Sequence, residues 1–178
     1  MLYLCLADGF EEIEALAAID ILRRADIPVL TVGITGKTVS GAHKINVTAD
    51  VLPDDVKNIT GIILPGGMPG TKNLEKSDFV INTIKEVNKA GGLIAAICAA
   101  PSILGHLNLL NGKNATCFPG FEKDLFGANV TKSGVAVDGN IITANGPGAA
   151  LEFGFAITDY ITKSDNISAG IRQSMQCR

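Results

Sequence analysis

The strongest constraint on the fold is an apolar run that ends abruptly in the middle of the chain. Residues 93–97 read Leu-Ile-Ala-Ala-Ile and contain no polar side chain. Such a run predicts a central parallel strand that is covered on both faces. Cys98 follows it at once, and Pro101 suits the first turn of a helix, where its missing N–H costs nothing. The segment therefore predicts a strand, a sharp turn at the cysteine, and a helix.

Cys98 is the first candidate for chemistry because it stands at this turn. The free N–H groups and the dipole of a helix N-terminus stabilise a thiolate. With serine in place of cysteine, the same geometry is the nucleophile elbow of hydrolases. A buried, inert cysteine is the alternative, since free cysteine is among the most buried residue types. The local sequence leaves both interpretations open.

The rest of the chain alternates between strand and helix patterns. The predicted strands are residues 2–6, 28–32, 61–65 and 93–97, with strand and turn material over 36–50 and a hairpin over 135–143. The predicted helices are residues 10–25, 78–90, 101–110 and 149–161, and residues 164–175 extend or follow the last of them. This alternation predicts one α/β domain over residues 1–178, with a mostly parallel sheet and helices on both faces.

Composition and motifs exclude several classes of protein. The net charge is −3 and no basic block occurs, so we expect no nucleic-acid partner. No apolar run approaches a membrane span, and the first segment reads as a strand rather than a signal peptide. No nucleotide phosphate loop occurs, the four cysteines lack zinc spacing, and no His/Asp/Glu cluster suggests a metal. We expect a cytoplasmic protein without membrane partners or cofactors.

Three chemical features directly follow three predicted strands. The acidic run Glu11-Glu12-Ile13-Glu14 follows the first strand, Gly66-Gly67 follows the 61–65 strand, and Cys98 follows the 93–97 strand. Ligands of open α/β sheets bind beyond the carboxyl ends of the strands, so neighbouring strands would bring these features into one crevice. The N–H groups of Gly66 and Gly67 can approach an oxyanion. A carboxyl group beside a thiolate should have a raised pKa and can donate a proton to the sulfur.

The helical pattern leaves open which of the three glutamates points into that crevice. Ile13, Leu16 and Ile21 have helical spacing and are assigned to the buried face, which would carry Glu14 toward the rim. Solvated side chains that interact with the helix dipole are the alternative for each glutamate. For the glycine pair, the alternative is a simple turn.

Other segments are weaker candidates for functional sites. Gly146-Pro147-Gly148 can line a pocket, although entry into the late helix explains it as well. His43 and His106 lie at no predicted strand end, so a Cys–His pair is unsupported.

Four motifs together resemble the ThiJ/PfpI superfamily, most closely the branch that contains the Parkinson-disease deglycase. In chain order they are Asp8-Gly-Phe-Glu-Glu-Ile-Glu14, Leu64-Pro-Gly-Gly67, Ala95-Ala-Ile-Cys98-Ala-Ala-Pro101 and Asn145-Gly-Pro-Gly148. Each motif alone is weak, but their combination is specific and covers about residues 1–162. The resemblance implies a flavodoxin-like three-layer α/β sandwich that forms a homodimer.

The resemblance also implies roles for individual residues. Cys98 would be the oxidisable nucleophile, Glu14 the protonated carboxyl group beside it, and the N–H groups of Gly67 and Ala99 an anion-binding pair.

At the pocket, the chain differs from some members of the superfamily. Phe118 stands where some relatives keep a histidine before a proline, and His43 where some have a rim arginine. The neighbouring Cys117 is expected to be structural, with a resolving thiol as the alternative.

These features predict a cysteine-dependent enzyme of the glyoxalase or deglycase type. Its substrates would be methylglyoxal, related dicarbonyls or early glycation adducts, and it would protect against carbonyl and oxidative stress. A redox sensor or chaperone-like protein that uses an oxidisable Cys98 is the alternative. A peptidase would need a base that the pattern lacks.

Overall fold

The computed structural model describes residues 1–177, and the elements follow the predicted alternation. Its strands are β1 (Leu2–Leu6), β2 (Val29–Gly33), β3 (Thr38–Ser40), β4 (Asn46–Thr48), β5 (Gly61–Leu64), β6 (Leu93–Ile97), β7 (Asn114–Ala115), β8 (Asn129–Val130), β9 (Val135–Asp138) and β10 (Ile141–Ala144). Its helices are α1 (Glu12–Arg24), α2 (Gly70–Glu75), α3 (Asp78–Lys89), α4 (Pro101–His106), α5 (Ala150–Thr162) and α6 (Asn166–Ser174).

A six-stranded sheet in the order β2-β1-β5-β6-β10-β9 forms the middle layer. All its neighbouring strands are parallel except β9 and β10, which form the predicted hairpin. Successive side chains of a strand point to opposite faces, so the apolar strands supply two cores. In β6, Leu93, Ala95 and Ile97 pack with α1 and α5, whereas Ile94 and Ala96 pack with α2, α3 and α4. The fold is the expected flavodoxin-like sandwich.

The strand order decides where chemistry can collect. β1 pairs with β5 and β5 pairs with β6, both in parallel register. The carboxyl ends of these three strands therefore meet at one edge of the sheet, as the crevice prediction requires. Within residues 1–177, no helix combines the length and the apolar character that a bilayer span needs.

The predicted buried face of α1 is correct at Ile21, which is 0% exposed, but wrong at its first two positions. Ile13 is 58% exposed and Leu16 is also exposed, whereas Glu14 and Ala15 are buried. The apolar spacing is ambiguous because α1 carries small and apolar residues on both sides, and contact with α5 and the sheet selects the side that includes Glu14. Pattern reasoning also missed the short elements α2, β7 and β8 and extended α4 past His106.

Phe153 tests the core between α5 and the sheet. Its side chain is 0% exposed and belongs to the cluster that includes the inward residues of β1 and β6. Phe153→Ala should lower the free energy of unfolding by about 3–5 kcal/mol because it leaves a cavity. Urea denaturation measures this, with Leu151→Ala as the control on the same helix, where the side chain is 40% exposed. A similar small loss in both variants would contradict the assignment of Phe153 to the core.

Candidate active site

Cys98 occupies a strained turn between β6 and α4. Its φ is 65°, a left-handed conformation that is uncommon for a residue with a side chain and costs about 1–3 kcal/mol. Two backbone hydrogen bonds hold the turn: the Cys98 N–H donates to the Ala144 carbonyl at 2.8 Å, and the Cys98 carbonyl accepts the Phe118 N–H at 2.8 Å. The sharp turn predicted at the cysteine is confirmed.

Glu14 is the glutamate that faces this turn, and its side chain is 0% exposed. Its backbone N–H donates to Oε2 of Glu11, the N-cap residue of α1, at 2.8 Å. Glu14 Oε2 accepts the Gly66 N–H at 2.7 Å. Glu14 Oε1 is buried and accepts no hydrogen bond from residues 1–177. One carboxylate oxygen is thus anchored, and the other is available to exchange a proton.

Gly66 lies between the carboxyl group and the cysteine. A Cβ atom built on Gly66 would be 2.7 Å from Cys98 Cβ, 2.9 Å from Glu14 Oε2 and 3.0 Å from the Ala99 nitrogen. The absence of a side chain therefore lets the ends of β1, β5 and β6 approach one another. The prediction that the Gly66 N–H binds an oxyanion needs correction, because that N–H is engaged by Glu14.

The thiol and the carboxyl group shift each other's pKa. Burial raises the pKa of Glu14 to about 7, although contact with the Cys98 thiol and the Gly66 N–H opposes this rise. Burial and the charge of Glu14 raise the pKa of the Cys98 thiol to about 12. Burial and an ionised Glu14 therefore outweigh the stabilisation of a thiolate that is expected at this turn. The two groups compete for protons, and one negative charge is favoured over two.

Two backbone N–H groups face the sulfur. Those of Gly67 and Ala99 both act to lower the pKa of Cys98, which means that they stabilise negative charge on the sulfur. Gly67 has a φ of 87°, and a Cβ atom there would lie 2.5 Å from the Glu11 nitrogen. The site therefore combines a thiol, a buried carboxyl group and two N–H donors, which suits nucleophilic addition to an electrophilic carbon with proton transfer.

The weaker candidates divide into two groups. Phe118 is bonded to the turn through its N–H, and its ring lies 3.1 Å from the position of a Cβ atom on Gly146, the residue before Pro147. Cys117 instead packs in the core on the other side of the sheet, and burial raises the pKa of its thiol to about 11. Phe118 thus lies beside both the Cys98 turn and Gly146. Cys117 also lines a small cavity with Pro119 and Asn145, while its packing suits a structural thiol.

The two histidines pair with carboxylates. His43 Nδ1 lies 2.8 Å from Glu12 Oε2, and His106 Nδ1 lies 2.5 Å from Glu75 Oε1. In the described part of the chain, neither histidine makes a hydrogen bond to Cys98. The hydrogen bond with Glu12 raises the pKa of His43. Burial acts to raise the pKa of Glu12, but the hydrogen bonds of its carboxylate, chiefly with His43, outweigh burial and lower that pKa.

The prediction that no His/Asp/Glu cluster suggests a metal needs correction. Glu11, Glu12 and His43 bring one potential ligand atom each to within 4.8 Å of one another. Sequence reasoning missed the group because the turn that carries His43 is about 30 residues away along the chain and folds onto the start of α1.

Gly66 provides a test of the crowding at this site. Gly66→Ala should lower the free energy of unfolding by about 1–3 kcal/mol, since the new methyl group meets the Cys98 turn and the buried Glu14 carboxyl group. Gly148→Ala is the matched control, because a Cβ atom there meets no atom within 4 Å. Equal denaturation midpoints for the two variants would contradict the close approach of the three strand ends.

Comparison with known proteins finds close relatives. A model of the DJ-1/PfpI family matches residues 1–160. The chain is 38% identical over 174 residues to Protein DJ-1 homolog A of Arabidopsis thaliana. The matched region covers 92% of this chain but only 44% of that longer protein. It is 34% identical over 153 residues to Glutathione-independent glyoxalase DJR-1.2 of Caenorhabditis elegans, covering 84% and 81% of the two chains. The solved structure of oxidized Toxoplasma gondii DJ-1 has a TM-score of 0.93 and 30% identity, covering 98% and 97%.

Proposed function

Since the chain belongs to the DJ-1/PfpI family, we propose that it is a cysteine-dependent glyoxalase or deglycase. Its substrates are methylglyoxal, related dicarbonyls or early glycation adducts. The observation that carries the proposal is the meeting of the Cys98 turn with the buried Glu14 carboxyl group across Gly66. The name of the Caenorhabditis elegans relative, a glutathione-independent glyoxalase, supports the same reaction class.

The first step is addition of the Cys98 thiol to the aldehyde carbon of methylglyoxal. A bond forms between Sγ and that carbon, and the carbonyl π electrons move to the oxygen. Glu14 accepts the thiol proton and returns it to the new oxygen, which yields a hemithioacetal. The N–H groups of Gly67 and Ala99, which face the sulfur, limit the cost of negative charge during the attack.

The second step moves a proton between two substrate carbons. Glu14 removes the hydrogen of the former aldehyde carbon as a proton and passes it to the ketone oxygen, which gives an enediol. Glu14 then takes the hydroxyl proton of the first carbon and delivers it to the neighbouring carbon, so the first carbon is oxidised to a thioester while the second is reduced. Water hydrolyses the thioester, which releases lactate and restores the thiol. The sequence needs no external oxidant or reductant.

The test is lactate formation from methylglyoxal in D2O without glutathione. We expect lactate at a rate above that of free N-acetylcysteine at equal thiol concentration, because the protein thiol has an adjacent proton carrier. Mass spectrometry should find deuterium on the carbinol carbon, since a proton held by Glu14 exchanges with solvent. A rate equal to that of the free thiol would overturn the proposal. Lactate without deuterium would overturn the proton-transfer step.

The proposed setting is a cytoplasmic homodimer that acts on small molecules and protects against carbonyl stress. The reducing thiol pool of the cytoplasm would keep a nucleophilic cysteine active. Ile13 and Leu16 are exposed apolar side chains on α1, and their burial against a second copy would support a dimer. Light scattering tests this, with a mass of one chain as the contradicting result.

A redox sensor is the second candidate, supported by the relative from Toxoplasma gondii whose structure is described as oxidized. The N–H groups of Gly67 and Ala99 would stabilise a Cys98 sulfinate, which adds two oxygen atoms to the sulfur. Peroxide treatment should then add 32 Da at Cys98 and leave Cys117 unchanged, because burial and the nearby carboxylates of Glu122 and Asp124 raise the pKa of the Cys117 thiol and disfavour a further negative charge there. Peptide mass spectrometry measures both sites. Oxidation confined to Cys98, together with no dicarbonyl turnover, would favour the sensor over the enzyme.

A further inference from the structure

A second cluster of chemically active side chains lies beside the candidate active site. Glu11 caps α1, Glu12 begins that helix, and His43 belongs to the turn between β3 and β4. The three side chains line a shallow cavity of about 240 Å³ together with Ile13 and Ile45. We propose that Glu11, Glu12 and His43 form a binding site for a divalent transition-metal ion such as Zn²⁺. The inference does not depend on the proposed enzymatic function.

The distances suit a small metal ion. His43 Nδ1 lies 2.8 Å from Glu12 Oε2 and 4.0 Å from Glu11 Oε1. Zinc binds histidine nitrogen and carboxylate oxygen at about 2.0–2.2 Å, which places tetrahedral ligand atoms about 3.3–3.5 Å apart. Each of the two distances needs to change by less than about 1 Å, and rotation of the exposed imidazole supplies such a change.

The remaining hydrogen bonds hold the carboxylates in place and leave their ligand atoms accessible. Glu11 Oε2 accepts the Glu14 N–H, and Glu12 Oε1 accepts the His43 N–H at 2.7 Å. The Glu11 side chain is only 10% exposed, yet its Oε1 has no hydrogen-bond donor among residues 1–177 within normal range. Glu11 Oε1 therefore keeps lone pairs that are free to bind a metal ion at the cavity.

The charge of the cluster also favours a cation. In the described part of the chain, His43 is the only basic side chain that pairs with Glu11 or Glu12. Two carboxylates therefore face one imidazole, and the metal replaces the ring proton that His43 now shares with Glu12. The positive end of the helix dipole opposes a cation here, so both carboxylates are needed. An imidazole ligand favours zinc, copper or nickel over magnesium.

Zinc titration of the intact protein tests the site. Isothermal titration calorimetry and native mass spectrometry should find one zinc ion per chain and no comparable binding of magnesium. His43→Asn should weaken zinc binding by at least about tenfold, whereas His106→Asn, the matched control, should bind as the wild type does. Cys98→Ser should also retain binding, which separates this site from the thiol. Equal binding of magnesium, unchanged affinity in His43→Asn, or loss in Cys98→Ser would each overturn the proposal.

A measurement on the wild type makes the test independent of the folding of any variant. The chain has two histidines, so their ring resonances can be followed separately by NMR. Zinc at one equivalent should shift the ring resonances of His43 and leave those of His106 in place. Shifts at His106 alone, or at neither ring, would overturn the proposed site.

Discussion

Replacing Cys98 by serine should abolish lactate formation from methylglyoxal. The hydroxyl group is a far weaker nucleophile than the thiol, and Glu14 is placed to activate the thiol specifically. We expect kcat/KM to fall by about 10³-fold or more, as for the loss of other catalytic nucleophiles. Serine retains the Cβ atom and the size of the side chain, so the turn between β6 and α4 should persist. Lactate assays measure the rate, and circular dichroism checks folding.

Cys117→Ser is the matched control for this loss. Cys117 is also a buried thiol, but it packs in the core on the other side of the sheet. Its replacement should leave the rate near that of the wild type. A Cys98→Ser protein that still forms lactate at the wild-type rate would contradict the nucleophile assignment. A large loss in both variants would point to a disulfide step instead.

The second large effect is expected from Glu14→Gln. An amide has nearly the same shape as the carboxyl group, and its oxygen can still accept the Gly66 N–H. It cannot carry a proton between substrate atoms, so kcat should fall by about 10²- to 10⁴-fold. The position is 0% exposed, so urea denaturation should accompany the assay to check that the protein with a buried amide at this position is folded. Steady-state kinetics should show this loss in kcat rather than in KM.

Two further variants separate proton transfer from charge or packing. Glu86→Gln makes the same chemical change at an exposed position of α3 and should have no effect. Glu14→Asp keeps the acid but withdraws it by one methylene, so it should retain more activity than Glu14→Gln. Wild-type kcat in Glu14→Gln, or equal losses in the aspartate and glutamine variants, would remove Glu14 from the proton-transfer role.

The longer elements could be predicted because their patterns are local. β1 and β6 are runs of hydrophobic residues, in which the Tyr3 hydroxyl of β1 is the one polar side-chain group, and the structure gives them the predicted bounds, residues 2–6 and 93–97. α3 begins beside its N-cap Ser77 and ends before Gly91-Gly92, within one residue of the prediction. The two-residue strands β7 and β8 and the six-residue helix α2 escape prediction, because none of them contains a continuous apolar run or enough turns to show a period.

The active-site residues were predicted partly from the local pattern and partly from the family resemblance. The strand end and Pro101 identified the Cys98 turn, which the structure confirms. The resemblance to the family identified Glu14 as the carboxyl group beside the cysteine. The helical periodicity placed Ile13 on the buried face of α1, whereas the structure leaves Ile13 exposed. The role of the Gly66 N–H was predicted wrongly because nothing in the local sequence shows that Glu14 reaches it across 52 residues.

The sequence by itself determined the α/β class, the strand ends that carry functional groups and the turn at Cys98. These depend on hydrophobic runs and backbone preferences, which act over a few residues. Only the tertiary structure decided that all three glutamates are buried, that Gly66 anchors one of them, and that His43 joins the other two. Burial and hydrogen-bond partners depend on which distant segments pack together, so pKa shifts and shared sites emerge only when β1, β5, β6 and the β3–β4 turn meet.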